Sequence, residues 1–177
     1  MRFFAFLSIF ILFLNANENT FKSISSDFTQ IIKSAENDTI KYSGNFRAMN
    51  EGDNNFALWN YKTPITKIIY FINNDVIILE PDLEQAVMTT INEMPDISRI
   101  LNEASAANKQ TNKAVTVNIS EVDYAISFKN GTPVKIAYTD TLDNKIEILL
   151  QNTLLNVNID KLTFRINIPS SYDTVRY

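Results

Sequence analysis

The stretch Ala57–Ile91, ALWNYKTPITKIIYFINNDVIILEPDLEQAVMTTI, decides the fold. It opens on an aromatic pair and a break: Trp59, Tyr61, then Thr63-Pro64. The chain runs apolar from Ile68 to Ile72, turns at Asn73-Asn74-Asp75 and runs apolar again from Val76 to Leu79. A second turn at Pro81-Asp82 returns it through Gln85 to Ile91. Short runs rich in Ile, Val, Tyr and Phe, bounded by Pro, Asn and Asp, read as strands joined by tight turns. Both faces of these strands are apolar: Ile69 and Phe71 point one way, and Ile68, Tyr70 and Ile72 the other. A free antiparallel sheet ordinarily wets one face. A sheet that is oily on both sides needs a cover on each, or an apolar ligand on one.

Downstream, Pro95 reads as the first residue of a helix. Ile97, Ile100, Leu101 and Ala104 make its single apolar stripe. From Ala114 the period changes to two. Val115, Val117 and Ile119 alternate with polar residues, and Tyr124, Ile126 and Phe128 lead into the hairpin signal Asn130-Gly131. Val134, Ile136 and Tyr138 form the next strand, and Asp143-Asn144 turns it into Ile146, Ile148 and Leu150. Two further strands are expected, one on Leu155, Val157 and Ile159 and one on Leu162, Phe164, Ile166 and Ile168. Upstream, Thr39 to Met49 is a strand. Phe21, Ile24, Phe28, Ile31 and Ile32 fall near helical spacing, which predicts a helix from about Asn19. Phe28 to Ile31 also reads as strand, so the helix is placed to about Ser25 with a strand after it. The expected fold is mainly β with two or three short helices. Its about ten or eleven strands form a single strongly curved antiparallel sheet, an incomplete β-barrel covered by a helical lid.

The first 16 residues stand apart from this domain. Met1-Arg2 is a short positive end, Phe3 to Leu14 is apolar apart from Ser8, and Leu14-Asn15-Ala16 ends on a small residue: the layout of a secretory signal peptide. An uncleaved anchor is the competing reading. With cleavage after Ala16 the mature domain is 17–177, and the loss of Arg2 moves the net charge from −4 to −5. No cysteine follows the apolar run, so neither a lipid-linked N-terminus nor a disulfide is available. An acidic chain without a Lys/Arg cluster is a poor partner for nucleic acid or an anionic membrane.

Catalytic chemistry is sparsely provided for. The absence of histidine and cysteine removes imidazole acid–base catalysis, thiol nucleophiles and nearly all zinc sites. Three dispersed glycines, Gly44, Gly52 and Gly131, make no phosphate loop. Glu80, Asp82 and Glu84 cluster at a turn, where solvated charge is the ordinary reading. No catalytic residue, metal ligand or cofactor is expected. A hydrophobic-ligand binder remains, with the helices lying across the concave face of the sheet. Against it stands a closed, ligand-free barrel plugged by the same helices, and Trp59, the only tryptophan, fits either.

The chain resembles the outer-membrane lipoprotein carrier family (LolA) through motifs in order along its length. These are Phe28-Thr29-Gln30, Gly44 inside the second strand, Trp59-Asn60-Tyr61-Lys62-Thr63-Pro64, Leu79-Glu80-Pro81-Asp82-Leu83-Glu84-Gln85-Ala86, and Phe164 with Pro169 to Val175. The family's Arg-Pro before the tryptophan is missing, Ala57 holds an aromatic's place, and Arg47 is the only arginine available as a gate. The resemblance implies a periplasmic carrier, working as a monomer. It would bind acylated lipoproteins, receive them from an inner-membrane lipoprotein-releasing ABC transporter and pass them to an outer-membrane lipoprotein acceptor. On that reading the acyl-chain groove is expected at Phe28, Phe46, Trp59, Tyr70, Ile78 and Met88, and the lid at Ile97, Ile100 and Leu101. Alternation alone does not say which sheet face is concave. A periplasmic binder of another lipid, or a sensor of mislocalised lipoproteins, has the same fold; a structural β-domain without a pocket is the third reading.

Overall fold

Alternating side chains and Asn-rich turns build nearly the whole molecule. The computed structural model describes residues 21–52, 54–90, 97–107, 114–119 and 121–177. Six strands come first: β1 (Ser23–Lys33), β2 (Thr39–Glu51), β3 (Asn54–Thr63), β4 (Lys67–Ile72), β5 (Asp75–Glu80) and β6 (Gln85–Thr90). Helix α1 (Ile97–Ala107) follows, then β7 (Val115–Ile119), β8 (Val122–Lys129), β9 (Thr132–Thr139), β10 (Lys145–Leu155) and β11 (Asp173–Arg176). All eleven form one open sheet in the order β11-β6-β5-β4-β3-β2-β1-β10-β9-β8-β7. Every pairing is antiparallel except β11 against β6, which is parallel.

The two clearest hairpins form where expected. Asn73 (φ 53°) links β4 to β5, and Asn130 (φ 51°) with Gly131 (φ 76°) links β8 to β9. Positive φ at the centre of a two-residue loop matches the twist of the strands it joins. Among the described residues α1 is the one α-helix, joined by 3-10 turns at Pro81–Leu83 and Lys161–Phe164. Residues 1–16, the expected helix start at Asn19 and Pro95 lie outside the described residues, as does the Ile97 side chain.

Two expectations fail. The segment to Ser25 is not helical, because strand begins at Ser23 and continues unbroken to Lys33. This segment pairs on both sides, with β2 and β10, and serine is a weak helix former that seeks backbone partners. Buried Ser26 finds them in the sheet: its Oγ lies 2.8 Å from the Gln151 carbonyl and 2.9 Å from Thr153 Oγ1. Nor do residues 157–168 form strands. The Asp160 carboxylate accepts the Leu162 N–H at 2.9 Å and starts a 3-10 turn. The alternating Ile166 and Ile168 then pack on a sheet face rather than joining an edge.

Burial separates the two faces of the sheet. The inner face carries Ile24, Phe28, Phe46, Ala48, Trp59, Ile136, Ile146 and Ile148, in one cluster with Ile100, Leu101 and Ala104 of α1. On the outer face Ile77, Leu79 and Ala86 are covered by Ile166, Ile168 and Tyr172, with Ile68, Tyr70 and Met88 alongside. The C-terminal segment thus crosses the back of the sheet before β11 docks on β6.

Gly44 sits where β2 slips register against β3. A Cβ there would run into the carbonyl oxygen of Asn60 and come within 3.0 Å of Phe28 Cε1. Backbone cannot yield as a flexible side chain does. Gly44→Ala is therefore expected to lower stability by about 1–3 kcal/mol, read as a drop in melting temperature; an unchanged melting temperature would contradict the close approach.

Candidate functional site

The inner face encloses a cavity of about 180 Å³, walled by Ile69 of β4 and Tyr124 of β8, among others. Six strand steps separate β4 from β8 in the sheet. A flat sheet would hold them about 29 Å apart, at about 4.8 Å per step. The sheet is therefore curled, and the cavity is what the curl surrounds.

One wall is β3 and β4. Ala57, Trp59 and Tyr61 line it at alternate positions of one strand, and Ile69 and Phe71 continue it on the next. The pairing Trp59↔Ile69 and Ala57↔Phe71 puts these side chains on one face. Opposite stand Tyr124, Ile136, Tyr138 and Ile148, with Ile100 of α1. From Asn55 to Tyr61 the lining follows β3 for about 20 Å at about 3.4 Å per residue, which makes the cavity a slot. Its polar lining residues are Gln30, Asn55 and Asn73, and the phenols of Tyr61, Tyr124 and Tyr138.

An aromatic stack stiffens the β3 wall. Trp59 stacks on Phe46 with ring centroids 4.7 Å apart, and Phe28 meets Trp59 at 4.9 Å and Tyr61 at 5.0 Å, edge-on in both cases. Such pairs are each worth about 0.5–1.5 kcal/mol beyond their burial. They hold Trp59 at the cavity wall instead of letting it collapse inward.

Of the expected groove residues, Trp59 lines the cavity and Phe28 and Phe46 pack behind it. Ile78 pairs with Ile69 and so lies on the same face, half-buried beyond the cavity. Tyr70 and Met88 are on the other face, in the cluster under the C-terminal segment. Arg47 alternates with Phe46 and Ala48, which both face α1, so its exposed side chain leaves the sheet on the far side from the helix. Ile100 and Leu101 are buried, Ile100 at the cavity wall. Ile69, Phe71, Tyr138 and Gln30 were not singled out from the sequence. The first two share the face of Trp59 once the turn at 64–66 fixes the register of β3 against β4; Gln30 and Tyr138 arrive from strands far away in sequence and carry no local signal.

The phenols are held neutral. Burial, with the Tyr138 and Tyr42 hydroxyls nearby, raises the Tyr61 pKa well above the ordinary tyrosine range. Burial first, then Tyr124 and Asp140, pushes Tyr138 up to about 12. Tyr61 Oη donates to Gln30 Oε1 at 3.0 Å.

An open, curled antiparallel sheet around an apolar slot, with one helix packed on its inner face, is the class that fold and cavity define. No family model matches the chain. An outer-membrane lipoprotein carrier protein of Campylobacter jejuni is 35% identical over 173 residues, 98% of each chain. Proteins of the same description from Wolinella succinogenes and Helicobacter pylori (strain J99) are 28% and 30% identical, covering 87% and 82% of this chain and 87% and 75% of their own. An uncharacterized conserved protein from Thermus thermophilus shares the fold, with a TM-score of 0.51 at 9% identity over 90% of this chain and 93% of its own. The chain belongs to the outer-membrane lipoprotein carrier protein family.

Because these phenols ionise later in the fold than in the unfolded chain, near pH 10, they favour the folded state fully below pH 10. That contribution is lost as pH rises through about 12, where Tyr138 titrates. Tyrosinate absorbance should therefore show a share of the tyrosine signal, Tyr61 and Tyr138 within it, appearing only well above pH 10, and Tyr138→Phe should blunt the loss of stability between pH 10 and about 12. Ionisation of all seven tyrosines in one step near pH 10 would contradict the burial described.

Proposed function

We propose that the chain is a periplasmic carrier that shelters the acyl chains of lipoproteins and ferries them from the inner to the outer membrane. The observation that carries this reading is the apolar slot between the curled sheet and α1, in a chain whose relatives are named carriers. A buried methylene is worth about 0.8 kcal/mol, so a long acyl chain left in water costs on the order of 10 kcal/mol. A soluble protein that moves such chains must replace the bilayer without binding so specifically that it cannot let go. Aliphatic and aromatic walls with no charged side chain among them meet that need.

As it stands the slot is too small. A cavity of about 150 Å³ holds one benzene, and this one, at about 180 Å³, offers little more. Acyl chains enter when α1 swings away as a lid, withdrawing Ile100 and Leu101, with Ile97 on the same helix. The groove then runs past Trp59, with Phe28 and Phe46 beneath it, toward Ile78. Residues 1–16 act as the cleaved signal peptide. The mature chain, 17–177, works as a monomer between an inner-membrane lipoprotein-releasing transporter and an outer-membrane acceptor.

Trp59, the single tryptophan, reports on the test. A fluorescent acyl probe, or a purified acylated lipoprotein, should change its emission on binding. Ile69→Glu places a charge in the cavity wall and should weaken binding at least tenfold while leaving the melting temperature close to wild type. Tyr70→Glu, one residue on but under the C-terminal segment, should lower stability by about 2–4 kcal/mol and leave binding by the folded fraction intact. No probe uptake by the wild type, or equal effects of the two substitutions on binding, would overturn the reading. Mass spectrometry of co-purified material distinguishes lipoprotein from another lipid.

A further inference from the structure

The two ends of the slot differ in how their polar groups are committed. At the Asn55 end the Asn73 side chain is used twice. Its Oδ1 accepts the Asn55 N–H at 3.0 Å, and its Nδ2 donates to Asn54 Oδ1 at 3.2 Å. That end is a hairpin clasp in which the Asn73 amide is committed at both its oxygen and its nitrogen, beside an exposed Asn55. At the far end, the Tyr61 hydroxyl occupies Gln30 Oε1. Among the described residues no group bonds Gln30 Nε2 or the Tyr138 hydroxyl, and both residues line the cavity. Gln30 Nε2 and the Tyr138 hydroxyl therefore stand uncommitted beside apolar walls, and the Tyr124 ring, 4.9 Å from that of Tyr138, brings a third hydroxyl to the same lining.

We propose that this end, formed by Gln30, Tyr61 and Tyr138, receives the ester or amide carbonyl that joins an acyl chain to its head group, with Gln30 Nε2 and Tyr138 Oη as donors. The inference rests on the carrier reading and adds polar recognition to it. A carbonyl is the one polar group an acyl chain always carries when linked to glycerol or to an amine, and it is a pure acceptor. The surroundings select a neutral acceptor over a free carboxylate. No lysine or arginine lines the cavity, and the Asp140 charge lies close enough to Tyr138 to disfavour its ionisation. Phenols are un-ionised at physiological pH and so keep their protons to donate. The apolar walls supply the grip, and the two donors fix how deep the chain enters.

Two ligands of equal length isolate the carbonyl: a monoacylglycerol with a saturated chain, and the alkyl glycerol ether in which a methylene replaces the carbonyl. Binding of each is read from Trp59 emission. Wild type should prefer the ester by about three- to tenfold, the net effect of one or two neutral hydrogen bonds. Tyr138→Phe, which removes a hydroxyl without a protein partner among the described residues, should erase most of that preference, bringing ester affinity down toward that of the ether. Gln30→Leu gives a second, independent removal of a donor, and melting curves on both variants establish that they fold. Equal binding of ester and ether by the wild type, or parallel weakening of both ligands in the variants, overturns the proposal while leaving the carrier reading standing. If the wild type binds neither ligand, both fall together.

Discussion

A sheet that is apolar on both faces has to be covered twice, and the rest of the structure follows from that. The strands β4 and β5 present Ile69, Phe71 and Val76 to one side and Ile68, Tyr70, Ile77 and Leu79 to the other. At about 25 cal/mol per Å² of apolar surface, leaving either side wet would cost more than a domain's net stability can absorb. The outer side is closed by the chain's own C-terminal segment through Ile166, Ile168 and Tyr172. The inner side is closed by curling the sheet until its distant strands face each other, and by α1. The curl leaves a slot because the stacked rings of Phe46 and Trp59 are too rigid to fill it.

What was legible in the sequence is what is local. The Asn73 and Asn130-Gly131 hairpins are written in two residues each, and the strands around them follow by alternation. The stripe Ile100, Leu101 and Ala104 was enough to mark α1. The first strand misleads because Phe21, Ile24, Phe28 and Ile32 satisfy a helical period as well as, with Ser26 and Gln30, a strand period. Pairing to β2 and β10, up to 131 residues away in sequence (Ile24 with Leu155), decides the matter. Ile166 and Ile168 have the alternation of a strand, yet they use it to cover a sheet face, and nothing in their own sequence distinguishes the two uses.

The choice of concave face is likewise not local. With both faces oily, Tyr70 and Trp59 look equally suited to a groove, and only the register with distant strands separates them. Arg47 is instructive in hindsight. A lone charge between Phe46 and Ala48 belongs on whichever face stays wet, so it marks Trp59 and its register partners as facing inward. The cavity's polar groups are hidden for the same reason, since Gln30, Tyr61 and Tyr138 come from three strands that meet only after the sheet has curled.

On the proposed carrier reading, the energies of the α1 contacts and of an acyl cargo are matched in a way that suits transfer. On the inner face, α1 is held by Ile100, Leu101 and Ala104, of which the two larger bury about 1.5–3 kcal/mol each. One long acyl chain buries on the order of 10 kcal/mol when taken out of water. On that reading a single chain suffices to displace the helix and still be held, whereas a short or polar molecule does not. In the proposed transfer, the surplus that an acceptor has to exceed is smaller than the full transfer energy by the cost of lifting α1. A lid anchored by many more side chains would exclude cargo, and one anchored by none would leave an open greasy trough in water. Among the described residues, Ile100, Leu101 and Ala104 are the buried side chains of α1, an anchoring between those limits.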